Sequence, residues 1–130
     1  MGAVASVVPY IGINEVSGKE SIILTARSCA AELLGTLFLV LIGCGSCLGA
    51  TPESPADFVR IALAFGVTVA TIAQSIGHVS GCHINPAVTA GLLFGRKIGL
   101  LKAILYVVAQ CVGAVLGSGL LMVSTFFSGQ

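Results

Sequence analysis

The chain contains no tryptophan, and only 8% of its 130 residues are charged. With six basic and five acidic residues its formal net charge is +1, which excludes the basic surface that nucleic-acid binding requires. Aromatic residues make up only 6% of the chain, so an aromatic belt at a membrane interface must consist of Phe and Tyr. The sequence also lacks a His/Cys cluster of the kind that binds metals. We therefore expect no nucleic acid, metal or other cofactor as a partner.

Apolar residues, by contrast, are abundant, at 56% of the chain with a mean hydropathy of +1.07. This composition is typical of an integral membrane protein, with the lipid bilayer as its surroundings. Five cysteines lie in or beside apolar segments, and two of them form the pair Cys44-x-x-Cys47. Inside an apolar helix we expect these thiols to act as small packing residues rather than as a redox motif.

Three apolar segments are long enough to cross a bilayer. We predict spanning helices over about residues 28–50, 58–76 and 100–126. A cytoplasmic tail over residues 1–27 would precede them, and the polar, Pro-containing residues 51–57 would form the first external loop. In the first segment, Gly45-x-x-x-Gly49 allows another helix to approach closely, and the third segment carries Gln110 and Gly113-x-x-x-Gly117.

Basic residues predict how these segments are oriented. Four of the six precede the first segment or lie between the second and the third, a fifth, Lys102, lies at the start of the third, and only Arg60 lies near the first loop. This distribution predicts that the N-terminus and the connection before the third span are cytoplasmic. We expect a multi-pass protein of the plasma membrane.

Residues 77–94 are too polar at their start for a spanning helix and too apolar at their end for an ordinary loop. Asn85 favours a helix N-cap, and Pro86 is tolerated in a first turn. The apolar residues from Pro86 to Phe94 suffice for about two and a half turns, roughly half a bilayer. Because helix ends at membrane depth must be buried in protein or line a water-filled cavity, we predict a re-entrant loop and a half-helix beside an aqueous pore. Its polar groups would be the Asn85 side-chain amide and the backbone carbonyls of Gly81, Cys82, His83 and Ile84.

The run Ser-Gly-Cys-His-Ile-Asn-Pro-Ala-Val-Thr, residues 80–89, closely resembles the first signature of the aquaporins, the major intrinsic protein family. The resemblance extends from about residue 31 to the end of the chain. It implies an all-α integral membrane fold of three transmembrane helices and one re-entrant half-helix, the N-terminal half of an aquaporin-like channel. Family members have two such halves in inverted orientation, so we expect this chain to be a fragment or a truncated product.

The resemblance implies passive, single-file water transport, by a homotetramer when full length. Two alternatives stay open: a channel for glycerol or another small neutral solute, and a non-conducting truncated product that interferes with full-length subunits. An enzyme is not expected, because no nucleophile lies beside a base and no two carboxylates share a candidate site.

The resemblance also implies roles for individual residues in the pore. Asn85, Pro86 and Ala87 would form the pore motif, with Ala87 as the small apolar contact to a partner half-helix. Phe65 would contribute an aromatic ring to a narrow outer filter, at a position where glycerol channels usually carry Trp. The alternative for Phe65 is an ordinary packing or lipid-facing side chain.

Four further residues would support the loop. Glu32 would brace it by accepting backbone N–H bonds, with an interfacial glutamate as the alternative reading, and Gln110 is a second buried polar group. The His83 side chain would help to hold the loop while its carbonyl faces the pore; a structural histidine without solute contact is equally compatible with the sequence. His78 would lie near the cytoplasmic mouth.

Overall fold

The computed structural model describes residues 18–48 and 57–128, and within them the chain is helical and has no strand. The helices are α1 Gly18–Gly45, α2 Phe58–Ser80, α3 Pro86–Phe94 and α4 Leu100–Ser128. Three of them, α1, α2 and α4, contain segments long and apolar enough to cross a membrane, whereas α3 has only 9 residues. The prediction of an all-α fold with three spanning helices and one half-helix is therefore confirmed. Most of the predicted tail, the last two residues of the first predicted span (49 and 50) and residues 51–56 of the predicted external loop lie outside the described residues.

Helix α1 begins at Gly18 rather than near residue 28. No glycine or proline interrupts the chain between Gly18 and Gly35, and the apolar segment already begins at Ile22, ahead of Arg27. A single arginine does not end such a helix, because its long side chain can follow the apolar surface and place its charge at the interface. The tail predicted for residues 1–27 therefore includes the first turns of α1.

Helix α2 begins at Phe58, where the Asp57 carboxylate caps it by accepting from the N–H groups of Val59 and Arg60 at 3.0 and 3.2 Å. It continues to Ser80, beyond the predicted end near residue 76. A helix commonly ends at a residue in the left-handed conformation, and Gly81, with φ of 88°, is that residue here. The polar residues 77–80 therefore form the last turn of α2, and the connection to α3 is limited to residues 81–85.

Helices α1 and α4 pack against each other at small residues. A methyl group on Gly113 would overlap the carbonyl oxygen of Leu33, and one on Gly117 would lie 2.6 Å from that of Leu37. Only glycine allows the two backbones to come this close, as is typical of small residues four apart in membrane helices. Helix α1 also packs against α2, and α3 packs against α4, so that α1 occupies the centre of the described fold.

The buried interior is polar, whereas the apolar side chains are largely exposed. Three of the four largest fully buried side chains, Gln110, Glu32 and Thr89, carry polar groups; the fourth is Tyr106. This is the reverse of a soluble domain and is expected for helices whose outer faces contact lipid or other protein. These four buried residues surround the connection between α2 and α3, which is where the candidate site lies.

Candidate functional site

The half-helix α3 begins with a capped first turn. Asn85 is extended, and its side-chain oxygen accepts from the N–H of Ala87 at 2.8 Å. Pro86, at the first helical position, needs no partner for a missing N–H. Among the described residues the Asn85 side-chain NH₂ has no hydrogen-bond partner, and the side chains of Asn85, Pro86 and Ala87 are all exposed. The amide can therefore donate to a molecule at the positive end of α3.

The five-residue connection before α3 has an uncommon backbone. Gly81, Cys82 and Ile84 all have positive φ, at 88°, 51° and 44°. This region is unfavourable for a β-branched residue such as Ile84, so the surrounding structure must hold it in place. Successive turns of this kind direct neighbouring N–H groups toward a common point, which here is a single carboxylate.

That carboxylate belongs to Glu32 of α1, whose side chain is completely buried. One oxygen accepts from the hydroxyl of Ser80 at 2.6 Å and the N–H of His83 at 2.9 Å. The other accepts from the N–H of Ile84 at 2.6 Å and from the amide of Gln110 at 2.9 Å. Four donors match the four lone-pair positions of a carboxylate, so the charge is fully hydrogen-bonded although no cation touches it in the described chain.

The same contacts define where the loop carbonyls point. All peptide bonds in the described chain are trans, and in a trans peptide the C=O is antiparallel to the following N–H. Because the N–H groups of His83 and Ile84 point at Glu32, the carbonyls of Cys82 and His83 point away from it. The Cys82 N–H donates to the Ser80 hydroxyl at 3.0 Å, which turns the Gly81 carbonyl outward as well. No donor from residues 18–48 or 57–128 reaches the carbonyls of residues 81–84, so they are available as acceptors.

A second set of hydrogen bonds connects the loop, α3 and α4 through Thr89, which is fully buried. Its hydroxyl lies 3.0 Å from His83 Nδ1 and 3.0 Å from the Gln110 amide nitrogen. The Gln110 amide thus donates to Glu32 and to Thr89 at once. The Thr89 hydroxyl also lies 3.2 Å from the carbonyl oxygen of Asn85, within α3. Buried networks of this kind fix one geometry when every member is satisfied.

Tyr106 closes the network from α4. Its ring is fully buried and meets the His83 ring edge to face, with centroids 5.0 Å apart. Its hydroxyl donates to the carbonyl oxygen of Ser80 at 2.7 Å, and Ser28 of α1 donates to that of Val79 at 2.9 Å. These two bonds satisfy carbonyls that the end of α2 leaves without helical partners.

Ser80, Thr89 and Tyr106 also support the loop, a role that is not predicted for them from the sequence. Two of them could have been found from helical spacing. Thr89 follows Asn85 by four residues in α3, and Tyr106 precedes Gln110 by four in α4, so each shares a helix face with a residue already considered. Ser80 gave no such signal, because its contact with Glu32 depends on where α2 ends.

Two predicted residues lie apart from this network. Phe65 is half-buried on α2 and rests on Gly43 of α1, where an added methyl group would lie 2.5 Å from the ring. It is 15 residues before Ser80, or about 22 Å along the helix axis at 1.5 Å per residue. His78 is exposed in the last turn of α2 and makes no hydrogen bond to the other described residues.

The arrangement suits the binding of small neutral polar molecules. A row of carbonyl acceptors leads to one amide donor at the positive end of a helix. The described residues contain no group of three or more metal-ligating side chains. The buried carboxylate is occupied by its four donors, so it holds the loop in place and is not available for acid–base chemistry.

Comparison with known proteins connects this geometry to a family. The family model described as "Major intrinsic protein" matches residues 19–128. Aquaporin-4 of Mus musculus is 45% identical over 102 residues, which are 76% of this chain and 32% of that protein. Aquaporin-1 of Homo sapiens is 45% identical over 101 residues, or 73% of this chain and 38% of that protein. Aquaporin FA-CHIP of Pelophylax lessonae is 44% identical over 105 residues, which are 73% of this chain and 39% of that protein. The chain thus spans 32–39% of the length of these relatives.

Proposed function

Because the chain belongs to the major intrinsic protein family, whose members are channels, we propose that it supplies one half of a transmembrane pore for water. The single observation that carries this proposal is the pairing at the start of α3. Within the described part of the chain, the carbonyls of residues 81–84 have no donor, and the side-chain NH₂ of the adjoining Asn85 has no acceptor. Water both donates and accepts, so it can use both kinds of group in turn.

In the proposed mechanism, water molecules pass in single file and donate to successive carbonyls of the loop. At Asn85 the water oxygen accepts from the side-chain amide, which reorients the molecule. The positive end of α3, equivalent to about half an elementary charge, repels cations and protons at the same point. Glu32 holds the loop carbonyls toward the water file because it binds the N–H groups on the opposite side of the same peptides.

A pore of this kind needs a second wall. Ala87, exposed at the start of α3, is proposed to meet a second half-helix of inverted orientation, as the two-part architecture of the family implies. Residues 1–130 alone should therefore swell vesicles no faster than empty vesicles do. Five basic residues lie on the proposed cytoplasmic side and one on the other side. This bias also opposes the insertion of two copies in opposite orientations.

The proposed orientation places the N-terminus and the α3–α4 connection in the cytoplasm of a plasma-membrane protein. It is supported by Arg96 and Lys97, which are exposed directly after α3. Cysteine labelling should reach residues near Pro55 from outside and residues near Lys97 from inside, and the reverse pattern would refute the orientation. His78 would then lie near the cytoplasmic mouth.

The proposed assembly of the whole protein is a homotetramer. An apolar groove of about 600 Å³ between α1 and α2 is proposed to receive part of a neighbouring subunit. It is lined on α1 by Leu34, Phe38 and Ile42, and on α2 by Val67 and Thr71. Native mass spectrometry of a complete channel containing this half would show four copies if the proposal is correct.

The experiment that tests the proposed function is a chimera. Residues 19–128 replace the matching segment of mouse Aquaporin-4, and osmotic swelling is compared with that of the unmodified parent and of empty vesicles. We expect water permeability of the same order as the parent. A correctly inserted chimera that swells no faster than empty vesicles would contradict the proposal and favour the non-conducting alternative. A chimera that passes glycerol as fast as water would favour the neutral-solute alternative.

Phe65 is proposed to set the size of the permeating molecule. In the same chimera, Phe65→Ala removes most of a ring that rests on Gly43, so glycerol flux should rise several-fold while water flux is retained. Phe58→Ala is the matched control, because Phe58 lies on the same helix and is 81% exposed. Unchanged glycerol flux in a well-inserted Phe65 variant would show that Phe65 is a packing residue.

A further inference from the structure

Cys44 and Cys47 lie where α1 ends in a tighter turn. The N–H of Cys47 donates to the carbonyl of Cys44 at 3.0 Å, an i to i+3 bond instead of the α-helical i to i+4 bond. In that geometry the side chains at i and i+3 eclipse, so both thiols project from the same side of the turn. The Cys47 thiol also donates to the carbonyl of Gly43 at 3.6 Å. Both cysteines are exposed, so the packing role that the sequence favours for them has no counterpart in the described fold.

The depth of this turn places the pair at the membrane surface. The apolar segment Ile22–Gly45 has 24 residues, about 36 Å of helix against a hydrocarbon core of about 30 Å. The segment is thus about 6 Å longer than the core, and Cys47 lies two residues beyond its end, so the turn lies near the interface with water. A thiol reacts as its thiolate, which requires contact with water, and this position provides it.

The distance between the two positions allows a bond between the sulfurs. A disulfide needs Cβ atoms about 3.5–4.5 Å apart, and residues three apart on a helix have Cβ atoms about 5–6 Å apart. Closure therefore requires a movement of about 1–2 Å. Residues 46–48 are a turn rather than a helix, and the N–H groups of Cys47 and Leu48 make i to i+3 bonds, whereas that of Ser46 still donates to the carbonyl of Ile42 at 3.0 Å.

We propose that Cys44 and Cys47 form a dithiol site that exchanges with small-molecule disulfides. One thiolate attacks a sulfur of the small disulfide, forms a mixed disulfide and releases one small thiol. The second protein thiolate then attacks the protein-bound sulfur, closes the Cys44–Cys47 bridge and releases the second small thiol. The two protein thiols are oxidised, and one small disulfide is reduced to two thiols. That the site faces the cell exterior rests on the orientation given under Proposed function.

The test uses the full chain expressed in intact cells. Oxidised glutathione, which is charged and does not cross membranes, is added outside; a parallel sample receives the permeant probe 4,4′-dithiodipyridine. Remaining thiols are blocked with N-ethylmaleimide, and the peptide containing residues 44–47 is analysed by mass spectrometry. We expect both thiols of this peptide to be lost together in a bridged form with either probe.

Variants separate a paired site from two independent thiols. Cys44→Ser and Cys47→Ser should each leave the remaining cysteine as a mixed disulfide with the probe. Cys111→Ser, which removes a single exposed cysteine of α4, should leave the bridge unchanged. Two free thiols at residues 44 and 47 after both probes, or two separate mixed disulfides, would overturn the proposal. A bridge formed only with the permeant probe would support the dithiol site and overturn the orientation.

Discussion

The two ends of the helix bundle are built by different means. Where the α2–α3 connection meets α1 and α4, a buried carboxylate and its hydrogen-bonded neighbours hold the backbone. Toward the other end, the helices meet through glycines and apolar side chains, as at Gly117 and where Phe65 rests on Gly43. Hydrogen bonds fix the direction of the loop carbonyls, and close contacts fix the distance between two helices. The end at the α2–α3 connection therefore orients individual carbonyls, whereas the other end fixes only the spacing of the helices.

The largest effect is expected for Glu32→Ala, which tests whether hydrogen bonds hold the end of the bundle at the α2–α3 connection. It removes the acceptor for four donors at once. Two of these are backbone N–H groups in a loop with positive φ, and they lose their acceptor. We expect a loss of about 3–5 kcal/mol, since each buried donor left unpaired costs about 1–3 kcal/mol and some will rearrange. Unfolding in mixed detergent and SDS micelles, followed by circular dichroism, measures it.

Glu32→Gln is the control for this variant. It keeps the shape and one acceptor oxygen, so its loss should be clearly smaller. Equal stability of the Ala variant and the unmodified chain would mean that the loop is held by packing alone, and the distinction between the two ends would disappear.

A contact between α1 and α4 is tested by Gly113→Ala. The added methyl overlaps a backbone oxygen of α1 at Leu33, which cannot move aside as a side chain can. We expect a destabilisation of about 1–3 kcal/mol, typical of overpacking. Gly119→Ala, two residues beyond Gly117 on the same helix, is the matched control because nothing lies within 4 Å of its added methyl. If both variants have the same free energy of unfolding, the close approach of the α1 and α4 backbones does not determine the stability of the bundle.

Thr89→Val replaces one hydroxyl of the hydrogen-bond network around Glu32 with a methyl group of similar size. The His83 ring nitrogen and the Gln110 amide each lose a partner at 3.0 Å. We expect a loss of about 1–2 kcal/mol, the cost of a buried polar group left unpaired. Thr71→Val on the exposed face of α2 is the control and should change stability much less. The same SDS titration measures the free energy of unfolding of both variants.

The smallest effect on stability is expected at the exposed cap. Asn85→Ala removes the bond to the Ala87 N–H and should cost about 0.5–1 kcal/mol, whereas Asn85→Asp keeps an N-cap acceptor and should cost less. In the chimeric channel we expect Asn85→Asp to change selectivity more than Asn85→Ala does. The Asp carboxylate at the positive helix end should weaken cation exclusion. Cation and water fluxes measured side by side would test this, and cation exclusion equal to that of the parent would contradict it.

How much of the molecule could be predicted from its sequence differs between these regions. The number of spanning helices, the start of α2 and the half-helix follow from local signals: long apolar runs, Asp57 before Phe58, and Asn85-Pro86 before an apolar stretch. The end of α2 was placed too early. Polar residues near 77 suggested a loop, but a helix continues until a left-handed residue stops it, at Gly81.

The sequence by itself determined the class of protein, the spanning helices and the half-helix, because hydrophobicity and capping act between neighbours in the chain. Only the tertiary structure decided how the loop is held. Glu32 and Ile84 are 52 residues apart, and their contact depends on how α1 packs against α2 and α4. Thr89 and Tyr106 joined the network for the same reason. A buried carboxylate in a membrane helix needs partners, but which donors reach it depends on helix packing, and that is a property of three dimensions.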